Sequence, residues 1–142
     1  MKRIVTIALS IAVTLIPSGS AFAQSHGVKA TIPFNFNVSG NWVPAGTYTI
    51  ASDSGSGVVL RLASREQKVS MYALGLTDAS DPERKAELVF HVYGDQYFLS
   101  EIHYPRSSTE VRLPMSKTEK NARKRAEEAS LRVNDNVLTA LN

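Results

Sequence analysis

Apolar and polar residues alternate along most of the chain from residue 28 onward, and this period-two pattern predicts β-strands. Clusters of glycine, proline, serine and aspartate interrupt the alternation and predict turns. Pro33 cannot donate a ladder hydrogen bond, so the first strand is expected at a sheet edge or bulged. The pattern is typical of a small all-β antiparallel sandwich or barrel, and both architectures stay open. The seven predicted strands cover residues 28–38, 47–51, 58–63, 69–76, 88–93, 96–104 and 110–113.

The fifth and sixth predicted strands form the clearest hairpin, with its turn around Gly94. A two-residue loop would pair Tyr93 with Gln96. A three-residue loop would instead pair Leu88 with Ile102, which matches apolar residues with apolar residues. Because a one-residue slip moves every side chain to the other face, we expect the three-residue loop.

One helix is predicted after the last strand, from residue 117 to about residue 132. Ser116 and Glu119 have the spacing of a capping box, in which the serine oxygen accepts from the third helical amide. The basic run Arg123, Lys124 and Arg125 lies on this helix among glutamates, which is typical of a solvated face. If the helix contacts a partner, these three residues are the candidate partner-facing positions.

The first 23 residues have the three-part pattern of a secretory signal peptide. A positive start precedes a 13-residue apolar run over residues 4–16, shorter than the roughly 20 residues of a membrane-spanning helix. Ala21 and Ala23 occupy the two positions that signal peptidase recognises, so cleavage is expected before Gln24. We therefore expect an exported protein, periplasmic or extracellular, with no integral membrane segment after cleavage. The domains are the leader 1–23, a β domain 24–116 and a charged helix and tail 117–142.

Composition and charge restrict the function of the mature chain. Loss of Lys2 and Arg3 from the 16 basic residues leaves 14 against 13 acidic ones, a near-neutral balance. Nucleic acid is therefore not expected as a partner, because phosphate binding needs a concentrated basic surface. The chain contains no cysteine, which excludes disulfides, thiolate catalysis and cysteine-based zinc sites.

Three segments resemble a family of small exported β proteins of acidobacteria. The resemblance covers most of the mature chain and implies export and a β body. The family has no assigned activity, so the resemblance implies no catalytic residues. The segments that carry it are Ile32-Pro33-Phe34-Asn35-Phe36, Val43-Pro44-Ala45-Gly46-Thr47-Tyr48, and Tyr93-Gly94-Asp95-Gln96-Tyr97-Phe98-Leu99-Ser100-Glu101-Ile102.

Residues capable of chemistry are few and do not form a recognised motif. His26, His91 and His103 lack metal-ligand spacing, so packed or surface histidines are expected. The acidic residues of the longest predicted loop, residues 77–86, lack the glycine and distal glutamate of a calcium loop. We expect no catalytic residue, no metal and no cofactor.

The sequence is compatible with two functions from different classes. The first is a non-enzymatic interaction or structural module with an unknown protein partner. The alternative is a carrier of a small apolar ligand, with a cavity in the β domain. The candidate lining residues of that cavity are Phe34, Phe36, Trp42, Tyr48, Phe90, Tyr97 and Phe98.

Overall fold

The computed structural model describes residues 5–10, 27–52, 59–104 and 107–129. Two sheets pack face to face, and a helix lies against the outer face of the larger sheet. The all-β class, the antiparallel sandwich and the C-terminal helix are confirmed, and the sheets are open rather than closed into a barrel. The described residues contain eleven strands where seven were predicted. The four-stranded sheet has the order β2 (Gly27–Ile32), β5 (Gly46–Ser52), β6 (Val59–Ser64), β7 (Val69–Leu74).

The seven-stranded sheet is built around the central strand β10 (Gln96–His103). Its pairings are antiparallel except for a short parallel contact between β10 and β3. The main path has the order β1 (Val5–Ser10), β9 (Glu87–Tyr93), β10, β11 (Thr109–Arg112), β8 (Leu76–Ala79). A small hairpin of β3 (Phe36–Val38) and β4 (Asn41–Val43) pairs with β10 beside this path.

The chain passes from one sheet to the other where the sequence contains Pro33, Pro44 and Gly75. Pro33 separates β2 from β3, so the long first predicted strand is two strands, and β2 is an edge strand as predicted. The second passage is held by two hydrogen bonds. The Tyr48 hydroxyl donates to the Pro44 carbonyl at 2.6 Å, and the Ala45 amide donates to Asn35 Oδ1 at 2.9 Å.

The hydrophobic core fills the space between the two sheets. Phe36 and Phe90 meet edge to face with ring centroids 5.7 Å apart, and Tyr48 contacts Phe36 in the same way at 5.6 Å. Such contacts add specific geometry to a large buried apolar area. The alternation seen in the sequence therefore directs one face of each sheet into a single core.

The hairpin of β9 and β10 begins with a two-residue loop, so the predicted three-residue loop is wrong. Tyr93 pairs with Gln96, and Gly94 takes a positive φ of 64°, which a glycine at the first central position of a type II′ turn adopts. A bulge at Ser100 then shifts the register by one residue. Beyond it Leu88 does pair with Ile102, as predicted.

Helix α1 (Lys117–Glu128) packs on the outer face of the seven-stranded sheet. Its apolar side is small: Ala122 and Ala126 contact Tyr93 and Phe98. The serine part of the capping box is confirmed, because Ser116 Oγ accepts from the Glu119 amide at 3.1 Å. The predicted helix end at about residue 132 lies outside the described residues.

Part of the predicted leader is an edge strand of the seven-stranded sheet. Strand β1 pairs antiparallel with β9 over six residues, and Ile7 and Leu9 are buried. The predicted cleavage residues Ala21, Ala23 and Gln24 lie outside the described residues. In the described ranges the structure contains no helix of the length and apolarity needed to cross a membrane.

Candidate functional site

An open groove with a volume of about 730 Å³ lies on the outer face of the four-stranded sheet. Its floor consists mainly of outward-facing residues of the four strands, and the residues that alternate with them along each strand point into the core. Lys29, Thr49, Ala63 and Ser70 form one row across all four strands. We call this feature the cationic groove, and it is lined by Lys29, Thr47, Thr49, Arg61, Ala63, Ser64, Arg65, Glu66, Lys68, Val69 and Ser70.

The charge of the cationic groove is strongly unbalanced. Its lining contains four cationic side chains but only one carboxylate, that of Glu66. The cations are Lys29, Arg61, Arg65 and Lys68. Across the ranges that the structure describes, none of these four cations forms an ion pair, whereas Arg84, Arg112, Arg123 and Lys124 do. Serine and threonine hydroxyls between the cations can donate and accept hydrogen bonds. The groove is therefore suited to an anionic ligand that also carries polar groups.

A tight turn between β6 and β7 positions the end of the groove. Lys68 has a positive φ of 52°, and its amide donates to the Arg65 carbonyl at 3.3 Å. The Gln67 amide donates to Ser64 Oγ, also at 3.3 Å. These bonds hold the backbone of the turn, so Arg65 and Lys68 stand at the end of the strands beside the groove floor.

Exposed large apolar side chains lie on β7, next to the groove residue Arg61, and on β8 in the other sheet. Tyr72 pairs across strands with Arg61 and is 58% exposed. Leu74 and Leu76 follow it with exposures of 67% and 62%. Tyr72 and Leu74 are alternate residues of β7 in the four-stranded sheet, whereas Leu76 pairs with Arg112 in the seven-stranded sheet.

A second polar group, the Glu119 cluster, lies between α1 and the seven-stranded sheet and consists of Glu119, His91, Ser100 and Tyr93. Glu119 Oε1 is 2.7 Å from His91 Nδ1 and accepts from the Tyr93 hydroxyl at 3.4 Å. His91 Nε2 is 3.1 Å from Ser100 Oγ. The bulge at Ser100 places this hydroxyl beside His91 on the outer face of the sheet.

The Glu119 cluster has the order carboxylate, imidazole, hydroxyl that activates a serine nucleophile in hydrolases. Ser100 is only 4% exposed, so in this conformation a substrate carbonyl does not reach its Oγ. The same bonds satisfy buried polar atoms of the sheet and fix the first turn of α1. We therefore interpret the cluster as the polar attachment of the helix to the β body.

The hydroxyl of Tyr93 makes this attachment sensitive to alkaline pH. Burial, and then the adjacent Glu119 carboxylate, raise the pKa of Tyr93 to about 12, and burial raises the pKa of Tyr104 to about 12. The folded state thus holds these protons more tightly than the unfolded state, whose pKa is 10.0. Their contribution to stability is complete below about pH 10 and is lost as pH rises towards 12.

Raising the pH from 9 to about 12 should therefore lower the free energy of unfolding of the native chain more than that of the Tyr93→Phe variant. The measurement is the free energy of unfolding by urea at a series of pH values from 9 to about 12. Tyr72→Phe is the matched control, because Tyr72 is an exposed phenol. An unchanged pH slope in Tyr93→Phe would contradict the prediction.

A third group, the His103 cluster, lies on the same outer face near β11. His103 is almost fully buried, with Nε2 3.3 Å from Glu101 Oε2 and Nδ1 2.9 Å from Glu110 Oε2. Arg84 and Arg112 pair with these carboxylates and complete a charge network. The residues that the structure describes include no group of three or more side chains able to hold a metal ion.

Two of the acidic residues of the predicted 77–86 loop, Asp78 and Asp81, have contacts within the fold. Residues 76–79 form strand β8, so this loop is shorter than predicted. Asp78 pairs with Arg112 at 3.1 Å. Asp81 Oδ1 accepts from the Glu83 amide at 2.9 Å, which is a local turn contact.

The seven candidate lining aromatics occupy three different environments. Five belong to or pack against the core between the sheets, where Phe34 stacks on Tyr97 at a centroid distance of 4.0 Å. Phe98 lies on the other face of the sheet under α1, and Trp42 is 64% exposed. Phe98 and Trp42 therefore lie apart from the five aromatic residues of the core. The function as a carrier of an apolar ligand stays a prediction.

The candidate partner-facing residues lie on the solvent side of α1. Arg123 pairs with Glu127 at 3.0 Å, and Lys124 pairs with Glu128 at 3.9 Å. Arg125 is exposed. Two of these three cations are thus paired with glutamates on the same helix.

No protein-family model matches the chain, and no curated protein or solved structure is significantly similar to it. The resemblance to exported acidobacterial proteins stays a prediction.

Proposed function

We propose that this chain is an exported, non-enzymatic β-sandwich that binds an acidic polysaccharide in the cationic groove. The observation that carries the proposal is a hydroxyl-lined groove with four cations, none of which forms an ion pair with another described residue. The leader pattern of residues 1–23 supports export, which would bring the groove into contact with polymers outside the cytoplasm.

The energetics of the groove favour a polymer over a small anion. An exposed ion pair contributes only about 0.2–1 kcal/mol, so a single acidic group would bind weakly. A polymer presents many acidic groups on one chain, and each later contact forms at high effective concentration. The open shape of the groove leaves room for a chain to enter and leave at its ends.

Polysaccharide chemistry also fits the uncharged part of the surface. Hydroxyls of Thr49 and Ser70 can exchange hydrogen bonds with sugar hydroxyls. The exposed ring of Tyr72 beside Arg61 offers an apolar face with a polar tip, which suits the apolar face of a sugar ring.

The test compares binding of the mature protein to polygalacturonate, dextran sulfate and neutral dextran. The variant Arg61→Glu/Lys68→Glu should weaken binding to polygalacturonate by about tenfold or more, equivalent to about 1.4 kcal/mol. The matched control Lys124→Glu/Arg125→Glu makes the same change of charge on α1 and should leave affinity within about twofold. Binding should also weaken as salt concentration rises.

Three results would overturn the proposal. Loss of binding in the helix variant alone would move the site to Arg123, Lys124 and Arg125. Equal binding of neutral dextran would remove the role of charge. Preference for polyglutamate over every polysaccharide would make the partner an acidic peptide.

A further inference from the structure

We propose that the chain forms a two-fold symmetric dimer in which strand β7 pairs antiparallel with β7 of a second copy. The four-stranded sheet then continues across the dimer as a single larger sheet. Strand β7 ends the order of its sheet, and among the described residues its only partner strand is β6. The other side of its backbone is therefore an open edge, which is a template for pairing with another strand.

Strand β7 lacks the features that protect an edge strand from pairing with another copy. Its sequence, VSMYAL, contains no charge and no proline. The opposite edge of the same sheet is β2, which carries Lys29 and is followed by Pro33. Edge strand β8 is short and carries Asp78. Two copies of β7 therefore meet without like charges opposite each other, which would weaken a strand pair.

The alternation of exposed and buried residues along β7 restricts the register of the dimer. Tyr72 and Leu74 point outward, whereas Ala73 is buried. Directly opposite residues of an antiparallel pair lie on the same face, so outward residues must meet outward residues. A ladder centred on Met71 would cover residues 69–73 and leave the exposed Leu74 out. The ladder centred on Tyr72 covers residues 70–74 and sets Leu74 opposite Ser70 of the second copy.

Both faces of the edge gain contacts in the register centred on Tyr72. On the outer face, the exposed Leu74 lies diagonal to Tyr72 of the second copy, within reach of an aromatic ring. On the inner face, Met71 is only partly buried against the core and lies opposite Ala73 of the second copy. The second copy thus continues the core beyond the edge at which it ends in one chain.

The antiparallel order keeps the groove cations of the two copies apart. Lys68 precedes β7, so the two Lys68 side chains lie at opposite ends of the paired strands. Arg61 stands opposite Tyr72 on β6, so one row crosses the two-fold axis in the order Arg61, Tyr72, Tyr72, Arg61. Three strand spacings, about 14 Å, separate the two arginines. This distance exceeds the Debye length of about 8 Å, so salt screens the repulsion.

The dimer places both cationic grooves on the same side of the joined sheet, because directly opposite residues of an antiparallel pair share a face. One acidic polymer can then contact both grooves and bind more tightly than to either alone. This consequence rests on the proposed function, whereas the dimer does not. Dimer formation is therefore measured without polysaccharide, so that failure of the dimer and failure of polysaccharide binding are seen separately.

The first test is disulfide cross-linking of Tyr72→Cys, which gives the chain its only cysteine. Directly opposite residues of an antiparallel pair have Cα atoms about 4.5–5.5 Å apart, which suits a disulfide. Oxidised Tyr72→Cys should therefore become mostly a covalent dimer. Leu76→Cys is the matched control, because Leu76 is similarly exposed but lies in the other sheet. It should cross-link more slowly by about tenfold or more.

The second test is the concentration dependence of the sedimentation coefficient. The unmodified chain should show a monomer–dimer equilibrium. Tyr72→Lys and Tyr72→Glu should each raise its dissociation constant by about tenfold or more, because like charges then meet at the two-fold axis. An equimolar mixture of these two variants should restore the dimer, since opposite charges then meet there. Leu76→Lys lies outside the ladder and should change the dissociation constant by less than about twofold.

Three results would overturn the proposal. One is an unmodified chain that stays monomeric up to about 1 mM, a measurement that does not depend on the folding of any variant. Another is equal cross-linking of the two cysteine variants. The third is a dimer that Leu76→Lys disrupts and Tyr72→Lys does not, which would place the interface on β8. Circular dichroism spectra show whether each variant keeps its fold.

Discussion

Glu119→Ala is expected to lower the free energy of unfolding by about 2–4 kcal/mol. The carboxylate lies buried under α1, 2.7 Å from His91 Nδ1 and within hydrogen-bond distance of the Tyr93 hydroxyl. Its removal leaves both groups without their acceptor beneath the helix. Chemical unfolding followed by circular dichroism measures the loss.

Glu127→Ala is the control for this prediction, because it removes a glutamate from the same helix. Glu127 pairs with Arg123 at the surface, where such pairs contribute little, and its loss should cost less than about 1 kcal/mol. Glu119→Gln keeps an oxygen acceptor and should be milder than Glu119→Ala. Equal effects of the two alanine variants would show that the buried carboxylate does not secure the helix.

Gly75→Ala is expected to destabilise the fold by about 1–3 kcal/mol, the usual range for an overpacked core. Gly75 is the residue at which the chain leaves β7 and enters β8 in the other sheet. A Cβ atom added there would collide with Val111 Cγ1, and it would lie 3.5 Å from the Arg112 carbonyl oxygen. The passage between the sheets therefore requires a residue without a side chain.

Two further variants isolate the steric cause. Gly46→Ala also brings a Cβ close to another residue, but the neighbour is the flexible side chain of Gln67, so a smaller loss is expected. Val111→Ala removes the atom that collides, and combined with Gly75→Ala it should show a favourable coupling energy. Strict additivity of the two changes would contradict the collision as the cause.

The strands of the four-stranded sheet were predictable because they have one buried and one more exposed face, as in β2 and β6, and the period of two records this directly. The register of the β9–β10 hairpin was not. Apolar matching indicated that Leu88 pairs with Ile102, and this pairing was attributed to the turn. In the fold the bulge at Ser100 supplies the extra residue, and a bulge leaves no mark in a pattern of alternating polarity.

The cationic groove and the Glu119 cluster could not be found from the sequence, for two different reasons. The cationic groove combines Lys29, Arg61 and Lys68 from separate strands and a turn, each at an ordinary exposed position of its own segment. Glu119 was visible as part of a capping box, but its carboxylate bonds to the sheet, which local spacing does not reveal. The nearest sequence signal was His91 on a face otherwise occupied by Val89 and Tyr93.

The passages of the chain at Pro33, Pro44 and Gly75 have a kinetic consequence. Because neighbouring segments in sequence belong to opposite sheets, neither sheet can form from one continuous stretch of chain. Most stabilising contacts then join distant residues, and loop closure precedes any gain from packing. Folding should therefore be slow for a chain of this length, with both sheets gaining protection in one step. If the leader directs export as proposed, slow folding would help to keep the chain unfolded until it is translocated.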